Sequence, residues 1–179
     1  MWRLFYNILL LVVSPVIVAV LLAKPRCRRG LLQRLGLKNS LSGLSGLSGL
    51  SRRPDRPDRP NEPDRPERPD RPVIWIHAVS LGEVVGVTPL VNELHRRHPE
   101  YRLVVSTVTE TGREAVEQRL AGVADHCYAP LDFPWVVSRF IDRLQPCLYL
   151  FVETELWPNL LWHLRRRGVS TVQIGRAHV

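Results

Sequence analysis

Hydrophobic and polar positions fall into three successive patterns along this chain. Residues 4–23 are an almost unbroken apolar run, broken only by Tyr6, Asn7, Ser14 and Pro15. About 20 apolar residues match the hydrocarbon core of a bilayer, so residues 1–23 are expected to form a transmembrane anchor. From residue 24 to 72 the apolar period vanishes. Ser-Gly-Leu recurs three times after Ser40, and Arg-Pro-Asp and Arg-Pro-Glu units cycle up to Pro72. Proline removes backbone donors, glycine and serine loosen the chain and alternating charges favour water, so this stretch reads as a linker without a packed core. At Val73 short apolar runs begin to alternate with amphipathic stretches, and a compact domain is expected over residues 73–174.

Within that domain the pattern predicts strands at residues 73–77, 102–107, 125–128, 147–152 and 169–174. Helices are predicted at 83–97, 112–120, 134–144 and 158–167. In the first helix Val84, Val87, Leu90, Val91 and Leu94 share a face, and Pro89 is expected to bend or tighten its opening turns. The last has well-matched ends: Pro158 suits the first turn, Arg165 to Arg167 the C-terminal dipole and Gly168 a left-handed cap. Strands and helices taking turns imply an α/β fold, a Rossmann-like parallel sheet covered on both faces. In such sheets ligands bind beyond the carboxyl ends of the strands.

Charge and cysteines refine the picture. The net charge of +8 is juxtamembrane: residues 24–53 carry eight basic residues and no acidic ones, whereas residues 73–179 hold eleven of each. Basic residues beside an apolar segment stay on the cytoplasmic side and attract anionic lipid. The expectation is a single-pass membrane protein with its soluble domain in the cytoplasm and no nucleic-acid partner. A cleaved signal peptide fits poorly, because the positive charge follows the apolar run. Cys27, Cys127 and Cys147 show neither paired nor metal-ligand spacing and read as reduced thiols.

Two strand ends carry carboxylates. His77-Ala78-Val79-Ser80-Leu81-Gly82-Glu83-Val84 leaves a strand, turns at Gly82 and puts Glu83 at a helix start, where an acid also simply suits the macrodipole. Phe151-Val152-Glu153-Thr154-Glu155-Leu156-Trp157-Pro158-Asn159 ends an apolar strand in two acids. Glu153 and Glu155 point the same way if the strand persists; Glu155 serves equally well as a helix cap. Between them Ser106-Thr107-Val108-Thr109-Glu110-Thr111-Gly112-Arg113 offers hydroxyls and free backbone donors suited to an anionic or sugar ligand, with Thr111 equally a plain N-cap. Dinucleotide, phosphate-loop, nucleophile-elbow and zinc-protease motifs are absent.

Taken together and in order, HAVSLGEV, STVTETG, YAPLDFP from Tyr128 to Pro134 and PxLYLFVETELWPN closely resemble the 3-deoxy-D-manno-octulosonic acid (Kdo) transferases. The apolar N-terminus followed by RRGLLQRLGL is similar to that family's anchor, and the low-complexity tract is a departure from it. The resemblance implies the N-terminal, acceptor-binding half of a GT-B glycosyltransferase that moves Kdo from CMP-Kdo to lipid IVA in lipopolysaccharide synthesis. It implies no metal and no cofactor besides the donor sugar nucleotide, which a missing C-terminal domain binds, so this chain alone is expected to be inactive. It places the general base at Glu83 and a second acid at Glu153, which either stabilises developing positive charge or holds the acceptor. Ser80, Gly82, Thr109, Thr111, Gly112 and Glu155 are the expected substrate contacts. Residues 175–179 read as a translated sequencing adapter, so Arg176 and His178 are given no role. The competing readings are another GT-B membrane glycosyltransferase and a non-catalytic membrane-tethered binding module.

Overall fold

The computed structural model describes residues 2–23, 34–35, 71–153 and 156–175, with the side chains of the first helix described from 5 to 15. Most of the expected linker, Cys27, Glu155 and residues 176–179 lie outside the described residues. The elements are α1 (Trp2–Ala23), β1 (Val73–His77), α2 (Leu81–Arg97), β2 (Arg102–Thr107), α3 (Glu110–Arg119), β3 (Asp125–Tyr128), α4 (Pro134–Leu144), β4 (Pro146–Val152), α5 (Pro158–Arg166) and β5 (Ser170–Ile174). The alternation predicted from hydrophobic periodicity is therefore present, with ends that coincide or shift by one or two residues. α2 begins at Leu81 rather than at Glu83 and α3 at Glu110 rather than at Gly112. Both begin where an extended residue, Ser80 or Thr109, releases the chain into helical geometry. Pro89 lies within α2, which runs on to Arg97. α5 starts on Pro158, and Gly168 behind it adopts φ +69°, the left-handed stop that glycine tolerates best.

All five strands are parallel in the order β3-β2-β1-β4-β5. Strand alternation splits the core between two faces. Ile74 and Ile76 of β1 pack with Val84, Val87 and Val91 of α2 and Ala115 and Val116 of α3. On the other face Trp75, Val104 and Tyr149 pack with Val137, Phe140 and Ile141 of α4 and Leu160 and Leu164 of α5. Three layers result, helices over each face of the sheet, which is the doubly wound Rossmann-like arrangement. Trp75 and Tyr149 are fully buried, with ring centroids 4.6 Å apart. Truncating a buried aromatic of this size costs about 3–5 kcal/mol.

The strand order reverses between β1 and β4, since the chain builds outward through β2 and β3 and then returns to the other side of β1. Such a switch point opens a crevice at the carboxyl ends of its two flanking strands, because the connections leave in opposite directions. Among the described residues no helix is long and apolar enough to cross a membrane; those of α1 with described side chains, 5–15, make up half of that helix.

Candidate active site

The two carboxylates singled out in the sequence follow the two strands at the switch point. Glu83 lies in the first turn of α2, three residues past Ser80, where the chain leaves β1. Its carboxylate is held by two donors: the Val79 backbone N–H at 2.8 Å and the Ser80 hydroxyl at 2.9 Å. Ser80 donates to Glu83 and makes no side-chain cap to the helix backbone, so this pair orients the acid. Glu153 follows β4 directly. Its φ of 59° is left-handed, a conformation that costs a non-glycine residue about 1 kcal/mol or more and needs support from its surroundings. That support is β5: the Glu153 N–H donates to the Ile174 carbonyl at 2.9 Å, and Gln173 Nε2 donates to the Glu153 carbonyl at 2.6 Å. Because β4 stops at Val152, Glu153 lies beyond its alternation; the expected alignment with Glu155 falls outside the described residues.

Glu83 and Glu153 line one cavity of about 500 Å³, together with Ser80, Gly82, Gly86, Val87, Val152, Ile174 and Gly175. Both acids are partly exposed, so each is open to a ligand while its backbone is fixed by neighbouring strands. A polyol fits the chemistry of such a cavity, with carboxylates to accept hydroxyl protons and glycines to admit a bulky ring.

Thr109, Thr111 and Gly112 lie elsewhere, at the carboxyl end of β2. The N-cap of α3 is Thr109, which accepts from the Gly112 N–H at 3.1 Å; Thr111 is a helical residue, which corrects its reading as a cap. Gly112 is buried, and a Cβ there would meet Thr107 and Thr109 side-chain atoms at 3.0–3.2 Å, so its smallness serves the seating of α3 on β2. The rest of this junction is filled by its own side chains. Glu110 accepts from Arg113 at 2.7 Å and from the Tyr128 hydroxyl. The Arg34 guanidinium stacks 4.7 Å over Tyr128 and donates to the Val108 carbonyl.

Two contributors were not singled out in the sequence. Asp132, only 7 % exposed, accepts from the Asn159 and Leu160 N–H groups at 3.0 and 2.8 Å. It thus caps α5 from 27 residues away and fixes the helix that follows Glu153. An acid inside the apolar LDFP turn was the available signal. His77 is buried, and its Nδ1 lies 2.9 Å from the Ser106 hydroxyl, which accepts from Trp75 Nε1 at 2.7 Å. Burial pushes the His77 pKa down to about 4, so the ring is neutral. Its edge meets the Trp157 ring, centroids 5.6 Å apart, joining the end of β1 to the segment that enters α5. Cys127 is a core residue whose thiol burial pushes up to about 12, and Cys147 is exposed on β4; both are free thiols.

The family profile of 3-deoxy-D-manno-octulosonic-acid transferase (kdotransferase) matches residues 50–175. The chain belongs to the Kdo transferase family. It is 35% identical over 176 residues to the 3-deoxy-D-manno-octulosonic acid transferase of Haemophilus influenzae, covering 96% of this chain and 35% of that protein. It is 40% identical over 102 residues to the Bordetella pertussis 3-deoxy-D-manno-octulosonic acid transferase, covering 54% of this chain and 23% of that one. A probable mitochondrial 3-deoxy-D-manno-octulosonic acid transferase of Arabidopsis thaliana is 34% identical over 89 residues, covering 50% and 20% of the two chains. This Kdo transferase chain thus spans about a third of the length of its Haemophilus relative.

Proposed function

We propose that this chain supplies the acceptor-binding half of a GT-B glycosyltransferase that moves Kdo from CMP-Kdo to a glucosamine hydroxyl of lipid IVA in lipopolysaccharide synthesis. The carrying observation is that Glu83 and Glu153, which leave the two strands flanking the switch point, share one cavity. A sugar hydroxyl is a weak nucleophile. Glu83, steadied by Ser80 and the Val79 N–H, takes its proton as the oxygen attacks the anomeric carbon of Kdo. The bond from that carbon to the CMP phosphate breaks, and CMP leaves with the electron pair. Glu153 stabilises the positive charge that develops at the anomeric carbon, or holds the acceptor in register. The donor nucleotide belongs to a second domain facing the cavity, beyond the third of the Haemophilus relative's length that this chain spans.

The acceptor is a lipid, so the domain works against the cytoplasmic leaflet of the inner membrane, attached through α1. Residues 24–53, with eight basic and no acidic residues, add attraction to anionic lipid. Tethering raises the effective concentration of acceptor at the cavity. The test is transfer from CMP-Kdo to lipid IVA by the full-length protein, with UDP-sugars as the control donors. Glu83→Ala is expected to lower turnover at least about 10²-fold while leaving the fold intact, the usual scale for loss of a general base. Near-normal turnover, or a preference for a UDP-sugar, rejects the assignment.

A further inference from the structure

We propose that α1 lies in the plane of the cytoplasmic leaflet, docked along the domain, instead of crossing the bilayer. The inference rests on the membrane attachment proposed above and specifies its geometry. Among the described side chains of α1, 5–15, the partly buried ones are Tyr6, Asn7, Leu10 and Ser14, and a spacing of three to four along the helix places them on one stripe. That stripe faces the domain: the Tyr6 hydroxyl donates to Asp132 Oδ2 at 2.9 Å, and Asn159 Nδ2 donates to Asn7 Oδ1 at 2.7 Å. Two of the polar residues that interrupt the apolar run, Tyr6 and Asn7, are thus turned inward, whereas the Ser14 hydroxyl donates to the Leu11 carbonyl of its own helix. Phe5, Leu9 and Val12, 71%, 51% and 67% exposed, are left pointing outward.

Where the chain returns decides the topography. A helix of 22 residues is about 33 Å long, so a spanning α1 would hold residues 6–7 and the residues after Ala23 on opposite sides of the membrane. The structure joins both to the same turn. Tyr6 meets Asp132, and the Arg34 carbonyl accepts from the neighbouring Leu131 N–H at 3.0 Å. A chain that crossed at α1 would have to recross between residues 24 and 33 carrying Lys24, Arg26, Arg28 and Arg29. Ten residues cannot do so as a helix, and the charges forbid it in lipid. An in-plane helix removes the conflict, because its polar side is covered by the domain while its apolar side meets acyl chains.

The occupant of that outward face is the headgroup and acyl boundary of an anionic leaflet. The basic segment that follows α1 complements anionic headgroups. The apolar surface also continues onto the domain: Trp135, 55% exposed, faces Ile8 and Leu11 across a groove of about 220 Å³. Trp is suited to that boundary.

The experiment uses full-length protein with Cys27, Cys127 and Cys147 replaced. A single environment-sensitive fluorophore is placed at Val12→Cys or at Trp135→Cys, in vesicles of phosphatidylethanolamine and phosphatidylglycerol. Spin labels near the headgroup and near the chain end report depth. Position 12 is in mid-helix, so a span puts it at the bilayer centre and an in-plane helix puts it shallow. The expected result is stronger quenching by the shallow label at both positions, by about twofold. Stronger quenching by the deep label at position 12, with position 135 in water, overturns the proposal and leaves membrane attachment standing. Quenching by neither label with blue-shifted emission means that protein covers the face, and overturns it as well. Protein that fails to float with the vesicles overturns attachment itself.

Discussion

Two junctions on the same edge of the sheet are equally polar and behave differently. Beyond β2, the turn into α3 brings together Thr107, Thr109, Glu110, Arg113 and Tyr128, and nearly every polar group there is used by another. Beyond β1 and β4, Glu83 and Glu153 have their backbones and orientation fixed, yet both border an open cavity. The difference comes from strand order. Neighbouring connections on one side of a sheet pack together and close the space between them, as α2 and α3 do, whereas connections departing to opposite faces leave a gap. A polar strand end becomes a site where the topology leaves room for a ligand.

The most direct way to break this comparison is to change one acid or hydroxyl at each junction. In the full-length protein Glu83→Gln is expected to reduce turnover at least about 10²-fold, and Thr111→Ala to leave it within about twofold, since a surface substitution away from special contacts costs little. Equal losses in steady-state kinetics would erase the distinction.

Acid separates the junctions next. Each holds a histidine: His77, buried at the end of β1, and His126, partly buried, whose Nε2 lies 2.9 Å from the Thr107 hydroxyl. Burial, with Arg113 nearby for His126, pushes both pKa values from 6.5 down to about 4. Between those values the unfolded chain binds protons that the fold refuses. Stability therefore falls as pH drops from about 6.5 and levels off below about 4, by about 1.4 kcal/mol per unit for a fully buried ring. Urea midpoints across this range should show it. His77→Gln, which cannot be protonated, should flatten the slope more than His126→Gln, because His77 is the more deeply buried of the two.

Packing distinguishes them more finely. Gly112→Val should destabilise by about 1–3 kcal/mol through overcrowding against Thr107 and Thr109, whereas Gly82→Ala, with nothing within 4 Å of its Cβ, should change thermal stability by less than about 0.5 kcal/mol. The smallest effect is expected at Glu153, where glycine relaxes the left-handed backbone. Glu153→Gly should be more stable than Glu153→Ala by up to about 1 kcal/mol in denaturant titration. The reverse order would mean that this backbone conformation is not maintained.

Much of this was legible in the chain. The unbroken apolar run of β1, buried at all five positions, marks a strand dry on both sides, apolar positions at three to four in α2 mark a helix dry on one, and the two carboxylates are visible at strand ends. Thr109 rather than Thr111 as the cap was not legible, because Thr-Glu-Thr-Gly offers two hydroxyls two residues apart and only the seating of α3 on β2 chooses between them. The left-handed turn at Glu153 was hidden for a similar reason: it is imposed by bonds from β5, twenty residues later.

By itself the sequence determined the order and kind of the elements, the two dry faces of the sheet and the family, since these follow from local periodicity and short motifs. Only the tertiary structure decided that β4 lies beside β1, so that Glu83 and Glu153 share a cavity. It alone decided that Asp132 caps α5 and that Tyr6 and Asn7 tie α1 to the domain. Those outcomes depend on contacts spanning 27 to 152 residues. Local pattern fixes which side of a segment must be buried, but its partner is chosen only when the whole chain packs.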